Sequence, residues 1–185
     1  SEYGKIDVLV NNSGIGASES PDRVAELSEK DWDRVNEVNL KGAFLTCRGA
    51  IPKMITQGGG AIINISSIRG LKGNPGLASY CATKGGMVLL SREMALDYAE
   101  QGIRVNCICP GFVETEMLLG YIDKQENPEA ARNAFSAMAV MNRIGHPEEI
   151  AGAAVFFASD EASFVTGVAL PVDGGYLANG VRELL

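Results

Sequence analysis

The chain has 185 residues, 46% of them apolar, and a formal net charge of −7. That is enough apolar material for one ordinary domain with its own core. The acidic balance excludes nucleic acid and anionic membrane surfaces as expected partners, because both reward a basic face. No apolar run approaches the roughly 20 residues that cross a bilayer. The opening residues show no basic segment followed by an apolar one, so no secretory signal is read. Cys47, Cys81, Cys107 and Cys109, with His146 as the one histidine, are too few and too poorly spaced for a zinc site. The expectation is four buried free thiols in a reducing cytoplasm, and no metal.

In chain order, residues 6–10 (Ile-Asp-Val-Leu-Val) form a short β-rich run that predicts a strand. Asn11-Asn12-Ser13-Gly14 follows it directly. Between residues 31 and 55, Trp32, Val35, Leu40, Phe44, Cys47, Ile51 and Met54 recur at three-four spacing, which predicts one helix. Ser28, with Asp31 three residues on, resembles a capping box at its start. Residues 61–65 (Ala-Ile-Ile-Asn-Ile) predict a second strand, ending at Ser66-Ser67. A helix over 79–101 comes next, apolar over much of its circumference and stopped by Gly102. Residues 104–108 predict a third strand, followed by Pro110-Gly111, with Thr115 just beyond. On that strand Cys107 and Cys109 would share one face. Residues 116–141 are the least regular part of the chain. A helix over 147–158 opens on Pro147, which makes His146 a helix-entry residue. Residues 168–172 predict a last strand. Short, nearly continuous apolar strands separated by helices are the pattern of an α/β, doubly wound, Rossmann-like parallel sheet.

In such sheets ligands bind beyond the carboxyl ends of the strands. The Asn, Ser, Gly and Pro clusters fall at those ends in three successive strands. Any one would pass as an ordinary turn; together they predict a site. Tyr80 and Lys84 stand at i and i+4 on one helix face. A phenol is a poor base near neutral pH. A neighbouring ammonium favours the phenolate and brings it toward the working range. An isolated Tyr-x-x-x-Lys occurs by chance on many solvated faces. Ser67, thirteen residues before Tyr80 and able to donate to a carbonyl oxygen, shifts the balance toward chemistry.

Asn11-Asn12-Ser13-Gly14, Ser67, Tyr80-Cys81-Ala82-Thr83-Lys84 and Pro110-Gly111-Phe112-Val113-Glu114-Thr115 resemble the short-chain dehydrogenase/reductases. So do Arg143-Ile144-Gly145-His146-Pro147 and Val172-Asp173-Gly174-Gly175. The resemblance runs over essentially the whole chain, in the family's order. It implies an oxidoreductase that interconverts a secondary alcohol and a ketone with NAD or NADP. By the same resemblance Tyr80 is the general acid/base. Lys84 depresses its pKa and holds the nicotinamide ribose, and Ser67 polarises the carbonyl. Asn39 matches the helix asparagine that positions a water. Asn11, Ser13 and Gly14 border the adenosine side of the cofactor; Pro110, Gly111, Val113 and Thr115 hold the nicotinamide. The family assembles as homodimers and homotetramers through helices matching 31–55 and 79–101, and a cytoplasmic enzyme with a small-molecule alcohol or carbonyl substrate is expected.

The largest departure lies at the front. Family members begin with a strand, a glycine-rich turn and a helix that cradle the pyrophosphate, and no such turn precedes Ile6. The expectation is a single, partial Rossmann-type domain over 1–185, with N-terminal strands missing, on the order of 60–90 residues at about 30 per crossover. The residue that separates NAD from NADP would lie among them. Ser66 competes with Ser67 for the catalytic role, but the spacing to Tyr80 favours Ser67. Two rival readings follow: a non-catalytic fragment acting as a binding or assembly module, and a serine hydrolase, against which Ser66 and Ser67 lack a G-x-S-x-G elbow. Met117, Leu118, Leu119, Tyr121, Phe135 and Met138 suggest an apolar lid over the substrate. Arg69, two residues past Ser67, could meet a carboxylate, but it reads rather as a solvated surface residue.

Overall fold

The computed structural model describes residues 4–16 and 22–179. Four parallel strands, β1 (Val8–Asn11), β2 (Gly60–Ile65), β3 (Ile103–Pro110) and β4 (Ala169–Val172), lie in the order β1-β2-β3-β4. The register sets Val8 beside Ala61, Ile63 beside Asn106 and Cys107 beside Ala169, so the three loops that follow β1, β2 and β3 leave one edge together.

Successive strand residues alternate between faces, and each face finds its own helices. Ile62, Ile103 and Val105 pack with Cys47, Ile51, Met54, Met94 and Ala95. These come from α2 (Gly42–Gln57) and α3 (Ala78–Tyr98). Ala61, Ile63 and Ile108 pack on the other side with Phe157 of α6 (Pro147–Ala158) and with Ala162. Helices on both faces make the sheet doubly wound and Rossmann-like. Cys107 and Cys109 share one face with Val88, as the alternation requires. Cys47, Cys107 and Cys109 are buried, whereas Cys81 is part-exposed, which corrects the expectation of four buried thiols.

Two expected elements differ. The helix over 31–55 is interrupted: α1 (Glu29–Asn36) passes into a π-helical turn (Glu37–Lys41) before α2 continues. One inserted residue leaves the apolar spacing nearly intact, so periodicity does not reveal it; such turns occur often at functional sites. Ser28 does cap α1, accepting from the Asp31 N–H at 3.1 Å, but it donates its own proton to the Asp31 carboxylate at 2.8 Å rather than completing a reciprocal box. Residues 116–141 are not irregular. They hold α4 (Glu116–Ile122), capped by Thr115, and α5 (Pro128–Met138), capped by Asn127 with proline at its first turn. Among the described residues no helix is long and apolar enough to cross a membrane.

Candidate active site

At the end of β1 the Asn11 carboxamide turns inward. It donates to Asn64 Oδ1 at 2.7 Å and accepts from the Thr46 hydroxyl at 2.6 Å. Asn64 in turn donates to Ser91 Oγ at 2.8 Å. This buried chain ties β1, β2, α2 and α3 together, and burying it is tolerable only because each member is satisfied. The Asn11 side chain is thus occupied within the fold, and Ser13 and Gly14 lie in the loop beyond it.

Asn39 sits in the π-helical turn with no exposed surface. Its Oδ1 accepts from the Ile15 N–H at 2.8 Å, and its Nδ2 donates to the Ile15 carbonyl at 3.0 Å. The asparagine thus grips the loop after β1 by both halves of one residue. That grip brings Gly14 against Lys84: a Cβ on Gly14 would lie 3.4 Å from Asn39 Oδ1 and 3.4 Å from Lys84 Nζ. Lys84 is 4% exposed. Its ammonium donates to the Ile65 carbonyl at 2.9 Å, one bond for three donors. Burial lowers its pKa to about 8, against a smaller opposing pull from Cys107 and Cys109.

The two serines after β2 divide their work. Ser66 Oγ donates to the Lys84 backbone carbonyl at 2.8 Å and is buried beneath it. Ser67 caps the short turn Ile68–Gly70, accepting from the Arg69 backbone N–H at 3.1 Å, and its hydroxyl lies near enough to the Tyr80 phenol to favour ionisation. Lys84 Nζ stands 5.7 Å from the centre of the Tyr80 ring. Burial pushes the Tyr80 phenol above its usual range; the nearby Ser67 hydroxyl and the positive charge of Arg69 oppose that, and Cys81 adds to it. His146 is no base for either serine: it precedes α6, with its N–H held by Glu149 Oε2 at 2.8 Å and its Nδ1 3.4 Å from Glu114.

The orientation of Tyr80 depends on a residue that sequence reasoning missed. α3 begins at Ala78, and Leu77 before it offers no side-chain cap. Asp22, 4% exposed, supplies one from across the fold: its carboxylate accepts from the Ser79 N–H and hydroxyl at 2.9 Å each, and its carbonyl accepts from the Ala78 N–H at 3.0 Å. A negative charge there also suits the helix N-terminus. Asp22→Ala is expected to lower stability by about 1–2 kcal/mol and to depress turnover, while Asp22→Asn keeps most of both; urea midpoints and initial rates measure the two.

The loop after β3 is pinned by the loop before α6. Val113 bridges Gly145, the Gly145 N–H donates to the Phe112 carbonyl at 2.9 Å, and the Glu114 N–H donates to the Gly145 carbonyl at 2.9 Å. Gly111 has to be glycine, because a Cβ would stand 2.7 Å from Asp173 Cα. Thr115 caps α4, so Pro110, Gly111, Val113 and Thr115 form a held ledge at the strand edge. Arg69 is not a solvated surface residue. Its guanidinium lies 5.6 Å from the Phe112 ring centre and 5.3 Å from that of Tyr176, and donates to the Tyr176 hydroxyl at 3.0 Å.

Gly14, Lys84 and the β3 ledge offer what a nicotinamide nucleotide needs: a surface without a side chain, spare ammonium donors and a fixed backbone rim. A family model described as Enoyl-(Acyl carrier protein) reductase matches residues 1–177. A 3-oxoacyl-[acyl-carrier-protein] reductase of Thermotoga maritima is 42% identical over 174 residues, covering 94% of this chain and 67% of that relative. Levodione reductase matches at TM-score 0.91 and 34% identity over 97% of this chain and 69% of that one. A structure of ElxO with NADP bound matches at TM-score 0.88 and 34% identity, over 96% and 70%.

Proposed function

Because this chain belongs to the short-chain dehydrogenase/reductase family, an NAD(P)-dependent class of alcohol/ketone oxidoreductases, we propose that Tyr80 exchanges the proton at the substrate oxygen. Ser67 holds that oxygen beside the phenol. Lys84 binds the ribose hydroxyls of the nucleotide, and Asn39 keeps the loop at Gly14 in place and orders the water that links Lys84 to solvent. Asn11, Ser13 and Gly14 border the adenosine side; Pro110, Gly111, Val113 and Thr115 hold the nicotinamide. The bound nicotinamide supplies or accepts the hydride. The observation that carries the assignment is the meeting of Ser67, Tyr80 and Lys84 at the edge where the strand-end loops converge. Residues 1–185 make a single Rossmann-type unit in this reading. It works in the cytoplasm as a homodimer or homotetramer, and half-exposed or exposed apolar residues on the long helices, Phe44, Leu89 and Leu96 among them, support the assembly.

The chain spans about two thirds of the length of the relatives it matches. Cofactor binding is therefore the first thing to measure. Titration with NADH and with NADPH, followed by nicotinamide fluorescence, is expected to saturate for at least one of them. Lack of saturation with both would favour a binding or assembly module without catalysis.

A further inference from the structure

Arg69 has no carboxylate partner among the described residues, although it is half-buried. A cation withdrawn from water is normally paired. Among the described residues this one is held by neutral groups only: the faces of Phe112 and Tyr176, which meet edge to face at 5.6 Å, and the Tyr176 hydroxyl. Those contacts fix the plane of the guanidinium without neutralising it. Among the described residues only one of its five N–H donors finds a partner, and four remain for a further one. Its place is equally specific. The Arg69 backbone N–H donates to Ser67 Oγ, Ser67 and Arg69 both lie near enough to the Tyr80 phenol to favour its ionisation, and Phe112 belongs to the ledge after β3. Beyond Phe112 the ring of Phe135 stands at 4.9 Å and leads to Tyr121 at 5.9 Å, so the cation forms the polar end of an aromatic wall built by α4 and α5.

We propose that Arg69 is a specificity-determining residue that binds a carboxylate carried by the substrate, whose apolar body lies along Phe112, Phe135 and Tyr121. The inference rests on the placement of the substrate at Ser67 and Tyr80. A planar fork matches a carboxylate in two parallel hydrogen bonds, and a point-charge lysine does not. Lys72, with its ammonium 5.3 Å from the Tyr176 ring, is exposed and adds only a screened attraction. The substrate class is thus a keto or hydroxy acid with a compact apolar frame between its two polar ends.

Calorimetric titration of the full chain with cyclohexanecarboxylate and with the neutral cyclohexanecarboxamide reads this without any turnover. The carboxylate is expected to bind at least about tenfold more tightly than the amide. Arg69→Gln removes that preference, Arg69→Lys restores little of it, and Lys72→Gln leaves it within about twofold. Equal affinity for the two probes, or a preference that survives Arg69→Gln, overturns the proposal. Tyr80→Phe separates it from the catalytic reading: the variant keeps the carboxylate preference and loses ketone reduction. A Tyr80→Phe protein that still reduces a ketone condemns the acid/base assignment and leaves the binding result standing.

Discussion

Tyr80→Phe is expected to lower ketone reduction by roughly 10²–10⁴-fold, the usual worth of a positioned acid/base group, with little change in the fold. The ring stays, and with it the packing at the start of α3 and the contact with Lys84. What disappears is the phenol oxygen beside Ser67, a loss of at most about 1 kcal/mol. The pH dependence follows from the direction of the shift. Burial raises the phenol above its usual range, so without a ligand it is fully protonated at neutral pH. A protonated phenol is the form that donates to a developing alkoxide. Reduction should therefore be flat through neutral pH and fall only in alkali, whereas alcohol oxidation, which needs the phenolate, should rise with pH. Arg69 favours the phenolate, so Arg69→Gln should move both limbs to higher pH. A Tyr80→Phe variant within tenfold of the parent would sink the acid/base role.

Much of this site is legible in the sequence, for a physical reason. Parallel strands buried on both faces have to be apolar throughout, so Asn, Ser, Gly and Pro mark their ends sharply, and the loops at 11–14, 66–67 and 110–115 stood out. Helical spacing put Tyr80 and Lys84 on one face, and the structure keeps them there. What escaped depends on distance along the chain. Asp22 caps a helix that begins 56 residues later, and no local pattern announces such a cap. Arg69 reads as a surface charge until Tyr176, 107 residues on, is folded against it. α5 escaped for another reason: none of its residues is buried and only Ala131, Phe135 and Ser136 are half-buried, too few to make a long apolar stripe, although Asn127-Pro128 carried the start signal. The π-helical turn is the least legible of all. One added residue shifts Asn39 without disturbing the apolar recurrence, and Asn39 is the residue that holds Ile15.

Lys84→Met is expected to cost about 10²-fold or more in turnover, because it removes the cation beside Tyr80 and the ribose donors together, and yet to leave the protein about as stable at pH 7. The buried ammonium is a liability to the fold. Its pKa falls from 10.5 unfolded to about 8 folded because burial disfavours the charge. Between those two values the unfolded chain holds a proton that the folded chain has released, so stability rises with pH across that window. At pH 7 both states are protonated and the folded protein bears the full burden, at most about 3 kcal/mol. Methionine fills nearly the same volume without a charge and gives up the hydrogen bond to Ile65, a loss of about 1–3 kcal/mol. The two effects nearly cancel. Urea unfolding of parent and variant at pH 7, 8, 9 and 10 isolates the lysine, since other titrating groups drop out of the difference. The parent should gain on the variant steadily above pH 8. A difference that stays level from pH 7 to 10 would mean that Lys84 keeps an ordinary pKa in the folded protein, and that Gly14 and Ile65 surround a charge still served by solvent. A rising difference would show a cation held against its own solvation at the point where Gly14 leaves room for a hydroxylated ligand, a cost that binding such a ligand offsets.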